Sequence, residues 1–156
     1  SKAQYEKVQR LIQAGMDEGA TLVCGGLGRP AGLNRGWFAK PTIFGDVKNE
    51  MTISKEEIFG PVLAVMPYDT VDEAVTMAND TVYGLAAYIY ASGMARIWRV
   101  MEQLEYGIIG VNEGVISTEV APFGGMKESG LGREGSRHGI TDYLELKYVL
   151  LGGIAA

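Results

Sequence analysis

Residues 62–111 read VLAVMPYDTVDEAVTMANDTVYGLAAYIYASGMARIWRVMEQLEYGIIGV, and the alternation inside this stretch decides the fold class. Val62 to Met66 is an unbroken apolar run of strand length, the pattern of a buried parallel strand. Thr70 and Glu73 then have capping-box spacing, in which each side chain satisfies the other's orphan amide at a helix start. Val71, Ala74, Val75 and Ala78 give that helix one apolar face. Leu85 to Tyr90 reads as the next strand, and 93–105 as a second helix carrying Ile97, Val100, Met101 and Leu104. Gly107 to Val111 is another apolar strand. Strand, helix, strand, helix, strand predicts an α/β fold with a mostly parallel sheet flanked by helices.

Upstream, residues 3–18 form an amphipathic pattern with Tyr5, Val8, Leu11 and Ile12 on one face, stopped by Gly19. Ala20 to Cys24 is a short strand candidate closed by Gly25 and Gly26, and 25–36 is a loop. Phe38 to Val47 is expected to be extended, because Lys40 precedes Pro41 and is biased away from helix. Downstream, residues 112–135 have neither helical nor strand period and are rich in glycine, so they form a long loop of the kind that carries function. Arg133 to Asp142 reads as a short helix. Tyr143 to Leu151 reads as a strand, with Leu144, Leu146 and Tyr148 alternating against Tyr143, Glu145 and Lys147. No linker divides the chain.

Composition removes several functions. With 14 basic and 19 acidic residues the net charge is -5, and no basic stripe suits nucleic acid. No apolar run approaches the roughly 18 residues of a membrane span, and no signal peptide opens the chain. A single cysteine, Cys24, points to a reducing, cytoplasmic setting. One histidine, His138 beside Arg137, reads as a surface residue, and one histidine with one cysteine cannot make a metal site. Glu56–Glu57 and Glu113/Glu119 read as solvated carboxylates, and no dinucleotide fingerprint or P-loop is present. The 22 glycines among 156 residues, roughly twice the ordinary share, imply tight turns and close backbone approaches.

Three motifs carry a resemblance. Lys55-Glu-Glu-Ile-Phe-Gly-Pro61 resembles the EEIFGP motif of the aldehyde dehydrogenase superfamily. Ala78-Asn-Asp-Thr-Val-Tyr-Gly-Leu-Ala86 resembles its AN-x-YGL turn, and Pro122-Phe-Gly-Gly-Met-Lys-Glu-Ser-Gly-Leu-Gly-Arg-Glu134 resembles a third landmark in the family's order. The resemblance covers essentially the whole chain and identifies it with the family's C-terminal part. It implies a partial catalytic domain over 1–142 and a C-terminal strand and tail of the oligomerisation region over 143–156. Residues 112–123 and 132–140 are similar to succinate-semialdehyde dehydrogenases, whereas 51–54 and 66–69 look more like general or aromatic-type aldehyde dehydrogenases.

The resemblance implies roles. Glu57 matches the glutamate that binds the nicotinamide ribose hydroxyls, and an ionised carboxylate can accept from two neighbouring hydroxyls. Phe59 matches the aromatic at that end of the cofactor, NAD or NADP; the lesser alternative is a core aromatic under the Gly60–Pro61 turn. Phe123 matches an aromatic lining the aldehyde pocket, and read alone it is a loop anchor. Ser117 matches a serine that binds the distal carboxylate of the substrate, or is a plain loop serine. Family chemistry uses a cysteine thiolate to attack the aldehyde, hydride transfer to nicotinamide, and a glutamate-assisted hydrolysis of the thioester. The resemblance puts nucleophile and base upstream of this stretch, and Leu22-Val-Cys24-Gly-Gly26 matches an ordinary strand end, so no catalytic residue is assigned. The chain is therefore expected to be a fragment, opening at Ser1 rather than methionine, inactive alone and without tight cofactor binding. It is expected to form a homo-oligomer through the last strand, with small aldehydes the substrates of its parent enzyme. The alternative is a free-standing, self-associating fold remnant. If the chain is truncated, the strands at 62–66 and 107–111 lose neighbours, and an exposed apolar patch covered by a partner chain is expected.

Overall fold

The opening helix α1 (Lys2–Asp17) begins at Ser1, whose hydroxyl accepts from the Gln4 amide, and buries Val8, Leu11 and Ile12. The structure, a computed structural model, describes residues 1–153. Gly19 turns the chain at φ 88, a conformation open to a residue without Cβ. Three short strands follow: β1 (Thr21–Cys24), β2 (Thr42–Gly45) and β3 (Val62–Ala64), with a one-turn helix α2 (Thr52–Lys55) between the last two. They form one sheet in the order β1-β2-β3. Phe44 on β2, Leu11 and Ile12 on α1, and Ile53 on α2 meet in the core with Val47, Met51 and Ile58. Helix α3 (Val71–Asn79) carries the expected capping box, with the Thr70 hydroxyl and the Glu73 carboxylate exchanging amides.

From Thr81 the chain makes β4 (Ala86–Ile89), α4 (Met94–Gln103) and β5 (Ile108–Val111). β4 and β5 pair in parallel, from Ala86 opposite Ile108 to Ile89 opposite Val111. Two compact units result, residues 1–80 and the residues from Thr81 onward. The sequence contains no glycine- or proline-rich linker at that point; the division falls at the end of α3.

Four expectations are corrected. The strands do not form one mostly parallel sheet. β1 runs antiparallel to β2, β2 parallel to β3, and β4–β5 is a separate two-stranded sheet. The reason lies in the connections: β1 reaches β2 through a loop, which lets the chain reverse, whereas the parallel pairs are joined through helices. Val62–Met66 is not fully buried. Val62, Ala64 and Met66 pack against the core, and Leu63 and Val65 stand 56% and 44% exposed, because β3 lies at a sheet edge with one face covered. That bare face is the apolar patch anticipated beside 62–66. Residues 133–142 form turns and a 3-10 helix at Thr141–Tyr143 instead of an α-helix.

The fourth correction concerns the last strand. Residues 144–153 carry no regular structure, since a strand needs a neighbour and none pairs with them among the described residues. Their apolar side chains are bare, with Leu146 and Tyr148 exposed. The final residues of the expected tail, 154–156, lie outside the described residues.

Candidate functional site

In the first unit the segment Glu56–Pro61 is held against α1. The side-chain amide of Gln4 donates to the carbonyls of Ile58 at 3.1 Å and Phe59 at 2.8 Å. Gly60 presses on Val8, where a Cβ would come within 2.6 Å of a Val8 methyl. Arg10, further along α1, donates to Glu56 at 2.8 Å. The hydrogen bond from Arg10, with its charge, holds the Glu56 carboxyl below the usual carboxylate range. Between these anchors Phe59 adopts φ 50, an unfavourable backbone region for a bulky residue.

The consequence is a turn that presents two side chains outward. Ile58 faces the core, and Phe59 stands 76% exposed. Phe59 is therefore no core aromatic. It lines a cleft of about 290 Å³ with Tyr5, Val8, Trp37 and Phe38. Glu56 is engaged by Arg10, but the Glu57 carboxylate is exposed and has no hydrogen bond or ion pair among the described residues. A carboxylate with free lone pairs can accept from two neighbouring hydroxyls, so Glu57 has the chemistry to hold a vicinal diol beside the outward face of Phe59. Glu57 and Phe59 were legible as motif residues; Gln4 and Arg10 were not, because 54 and 46 residues separate them from their partners.

In the second unit the AN-x-YGL and PFGGMKESG motifs interlock. Met126 N–H and Gly107 N–H both donate to the Gly84 carbonyl, at 2.9 and 3.0 Å. The Ser129 hydroxyl accepts from Gly84 N–H at 3.0 Å. Lys127, at φ 55, donates to the Thr81 carbonyl and pairs with Glu105 at 2.6 Å. Phe123 and Glu134 bond reciprocally through their backbones, at 2.9 and 2.7 Å, closing the loop on itself. Arg133 stiffens the closure by donating to the carbonyls of Gly125 and Gly132 at 2.8 and 2.7 Å, and its amide bonds Asp142 at 2.8 Å.

Phe123 is half-buried and lines an open cleft of about 730 Å³ with Leu85, Leu131, Arg133, Ile140 and Tyr143. It is an anchor and a lining residue at once. Ser117 is exposed and does not line that cleft. Cys24 is exposed at the end of β1, an edge strand, and His138 is exposed. Among the described residues no group of acidic, histidine and cysteine side chains is placed to hold a metal, and no helix is long and apolar enough to cross a membrane.

Both motif sets that the geometry brings to local order match a known family, whose model covers residues 1–149. The chain belongs to the aldehyde dehydrogenase family. A mitochondrial succinate-semialdehyde dehydrogenase of Oryza sativa subsp. japonica is 50% identical over 99% of this chain and 29% of its own length. A glutarate-semialdehyde dehydrogenase of Pseudomonas aeruginosa is 53% identical over 95% of the chain and 30% of its own. Among solved structures, an aldehyde dehydrogenase C variant from Pseudomonas syringae complexed with NAD+ and octanal matches with a TM-score of 0.88. It is 47% identical and covers 93% of this chain and 30% of its own. This aldehyde dehydrogenase chain thus spans about 30% of the length of the relatives it matches.

Proposed function

We propose that the chain is the C-terminal part of an NAD(P)-dependent aldehyde dehydrogenase that oxidises a short semialdehyde, succinic semialdehyde or a close homologue, to the dicarboxylic acid. The observation that carries this is the Glu57–Phe59 turn: an unpartnered carboxylate and an outward aromatic, held by α1. In this reading Glu57 and Phe59 hold the ribose and nicotinamide end of NAD or NADP, which supplies the hydride acceptor when bound. Phe123 lines the aldehyde pocket, and Ser117 meets the distal carboxylate. The semialdehyde preference follows the relatives' substrates. In this reading residues 1–142 are part of the catalytic domain, and 143–156 are the tail, a strand only when a partner pairs with it, through which the enzyme self-associates in the cytoplasm. The bare apolar side chains at Leu144, Leu146, Tyr148 and Val149 support a pairing partner, since an isolated apolar segment of this length is a docking surface or an aggregation hazard.

The reacting thiolate is not in this chain. Cys24 ends β1, an exposed edge strand. The purified 156-residue chain, its mass verified, is therefore expected to form no NAD(P)H with succinic semialdehyde. Turnover at that mass that disappears in Cys24→Ala would sink the assignment of the nucleophile to another part of the enzyme. A monodisperse monomer at high concentration in sedimentation would count against the self-association of 143–156.

A further inference from the structure

The residue that turns the chain out of the β4–β5 sheet is Asn112. It follows β5 directly and sits at φ 53, in the left-handed region where asparagine is enriched among residues with a Cβ. Its backbone N–H still continues the ladder, donating to the Ile89 carbonyl at 2.8 Å. Its side chain then takes over from the main chain. Oδ1 accepts from Ala91 N–H at 2.9 Å, and Nδ2 donates to the Ala91 carbonyl at 3.0 Å. A carboxamide has the donor and acceptor of a peptide group, so it makes one more rung while the backbone is free to leave.

What the backbone does next is equally determined. The Glu113 carboxylate accepts from Gly114 N–H at 2.8 Å and Val115 N–H at 3.0 Å, a tight turn closed by its own side chain. Those two amides hold the Glu113 carboxyl below the usual carboxylate range. The returning segment lies on Gly110, where a Cβ would come within 2.8 Å of the Glu113 carbonyl and an Ile116 methyl, and within 2.9 Å of Tyr88. Ile116 is thereby seated on the sheet surface, and Ser117 is the next residue along.

We infer that Asn112 is a positioning residue for the aldehyde pocket: by substituting side chain for main chain at the end of the β4–β5 ladder, it sets where residues 113–117 meet the far end of the aldehyde. This rests on the reading of Ser117 as substrate-binding, and the test separates the two. Asn112→Gly keeps the left-handed backbone and removes both bonds to Ala91. Asn112→Asp keeps the acceptor for Ala91 N–H and sets a charge against the Ala91 carbonyl. In the full-length enzyme that carries this chain, the readout is kcat/KM for succinic semialdehyde relative to butanal, an aldehyde of equal length without the carboxylate.

Asn112→Gly is expected to lower that ratio about tenfold through KM for the semialdehyde, with kcat on butanal unchanged, and Asn112→Asp to fall between. Ser117→Ala is expected to lower the same ratio. A lowered ratio in Ser117→Ala with no change in Asn112→Gly overturns the inference and leaves Ser117 standing. No change in Ser117→Ala, whatever Asn112→Gly does, removes the reading of Ser117 and with it the inference. In the 156-residue chain, Asn112→Gly is expected to speed hydrogen exchange at Ala91 and at 114–117 while Ile108–Val111 keep their protection. Loss of protection throughout 86–111, or no change at Ala91, would overturn it independently of any activity.

Discussion

In residues 1–80, Leu11, Ile12 and Phe44 are withdrawn from water completely, whereas from Thr81 onward Ile97 is the one large apolar side chain buried among the described residues. The second unit coheres differently. Gly84, Gly107, Gly124 and Gly125 let backbone lie on backbone, the Gly84 carbonyl and Ser129 hydroxyl tie the loop to the strand starts, and the Arg133 guanidinium ties the loop to itself. Meanwhile Trp98, Val115, Val120 and Leu131 stay exposed. A side-chain core is an energetic unit complete in itself, while a glycine-built scaffold fixes shape and leaves its apolar faces for something else to cover. The division has a functional counterpart. The turn proposed for the cofactor is braced by α1, a helix rooted in the core, and the proposed aldehyde residues stand on loops shaped by hydrogen bonds.

The sharpest way to break this contrast uses the two tryptophans, Trp37 in the first unit and Trp98 in the second. Phe44 lies at the centre of the core, fully buried between α1 and α2, and Gly15 lets the helix approach its ring. Phe44→Ala should cost about 3–5 kcal/mol, a large part of the stability of a unit this size. Urea unfolding followed in single-tryptophan variants should show the Trp37 transition moving to much lower denaturant and the Trp98 transition staying in place. Equal shifts of both would mean that one core serves the whole chain, and the comparison would fail.

The converse substitution is Gly107→Ala. The added Cβ would run into the Gly124 carbonyl oxygen and lie within 2.9–3.1 Å of further backbone atoms of Gly124 and Gly125. Backbone cannot step aside as a flexible side chain can, so the loop carrying Phe123 must shift. The expected cost is about 1–3 kcal/mol, seen on the Trp98 transition alone. An unaltered Trp98 transition would show that the PFGG segment is not packed on this strand start.

The two regions also differed in how far they could be read from sequence. Local pattern located α1, α3 and α4, the capping box at Thr70 and the strands β1, β3, β4 and β5, and the Lys40–Pro41 step marked the extended stretch that holds β2, because each rests on residues within a few positions of one another. Burial was over-read at Leu63 and Val65, since an apolar run does not say whether both faces are covered. The strand at 143–151 has the right alternation, but pairing is a property of a neighbour and not of the segment. At the candidate site, motif resemblance alone pointed to Glu57, Phe59, Ser117 and Phe123. The residues that hold them, Gln4, Arg10, Asn112 and Arg133, act through carbonyls, amides or a distant carboxylate, and such partners leave no trace in residue type.

The smallest effect expected is the most specific to the bracing of the turn proposed for the cofactor. Arg10–Glu56 is an exposed pair, of a kind that contributes little to stability and is screened by salt. Its sign is nevertheless fixed. The Glu56 carboxyl is lowered in the folded chain, by the Arg10 hydrogen bond first, so its contribution is present above the ordinary glutamate value. That contribution is lost as pH falls through the lowered folded value. Arg10→Met keeps the aliphatic stem and removes the charge. Its Trp37 transition should fall slightly below that of the parent chain at neutral pH and low salt. The two should coincide once the pH is below the lowered folded value and Glu56 is protonated in both states. A gap that persists undiminished in acid would mean that Arg10 stabilises the first unit through packing of its stem, and that the turn bearing Glu57 and Phe59 is braced by Gln4 and the Val8–Gly60 contact without it.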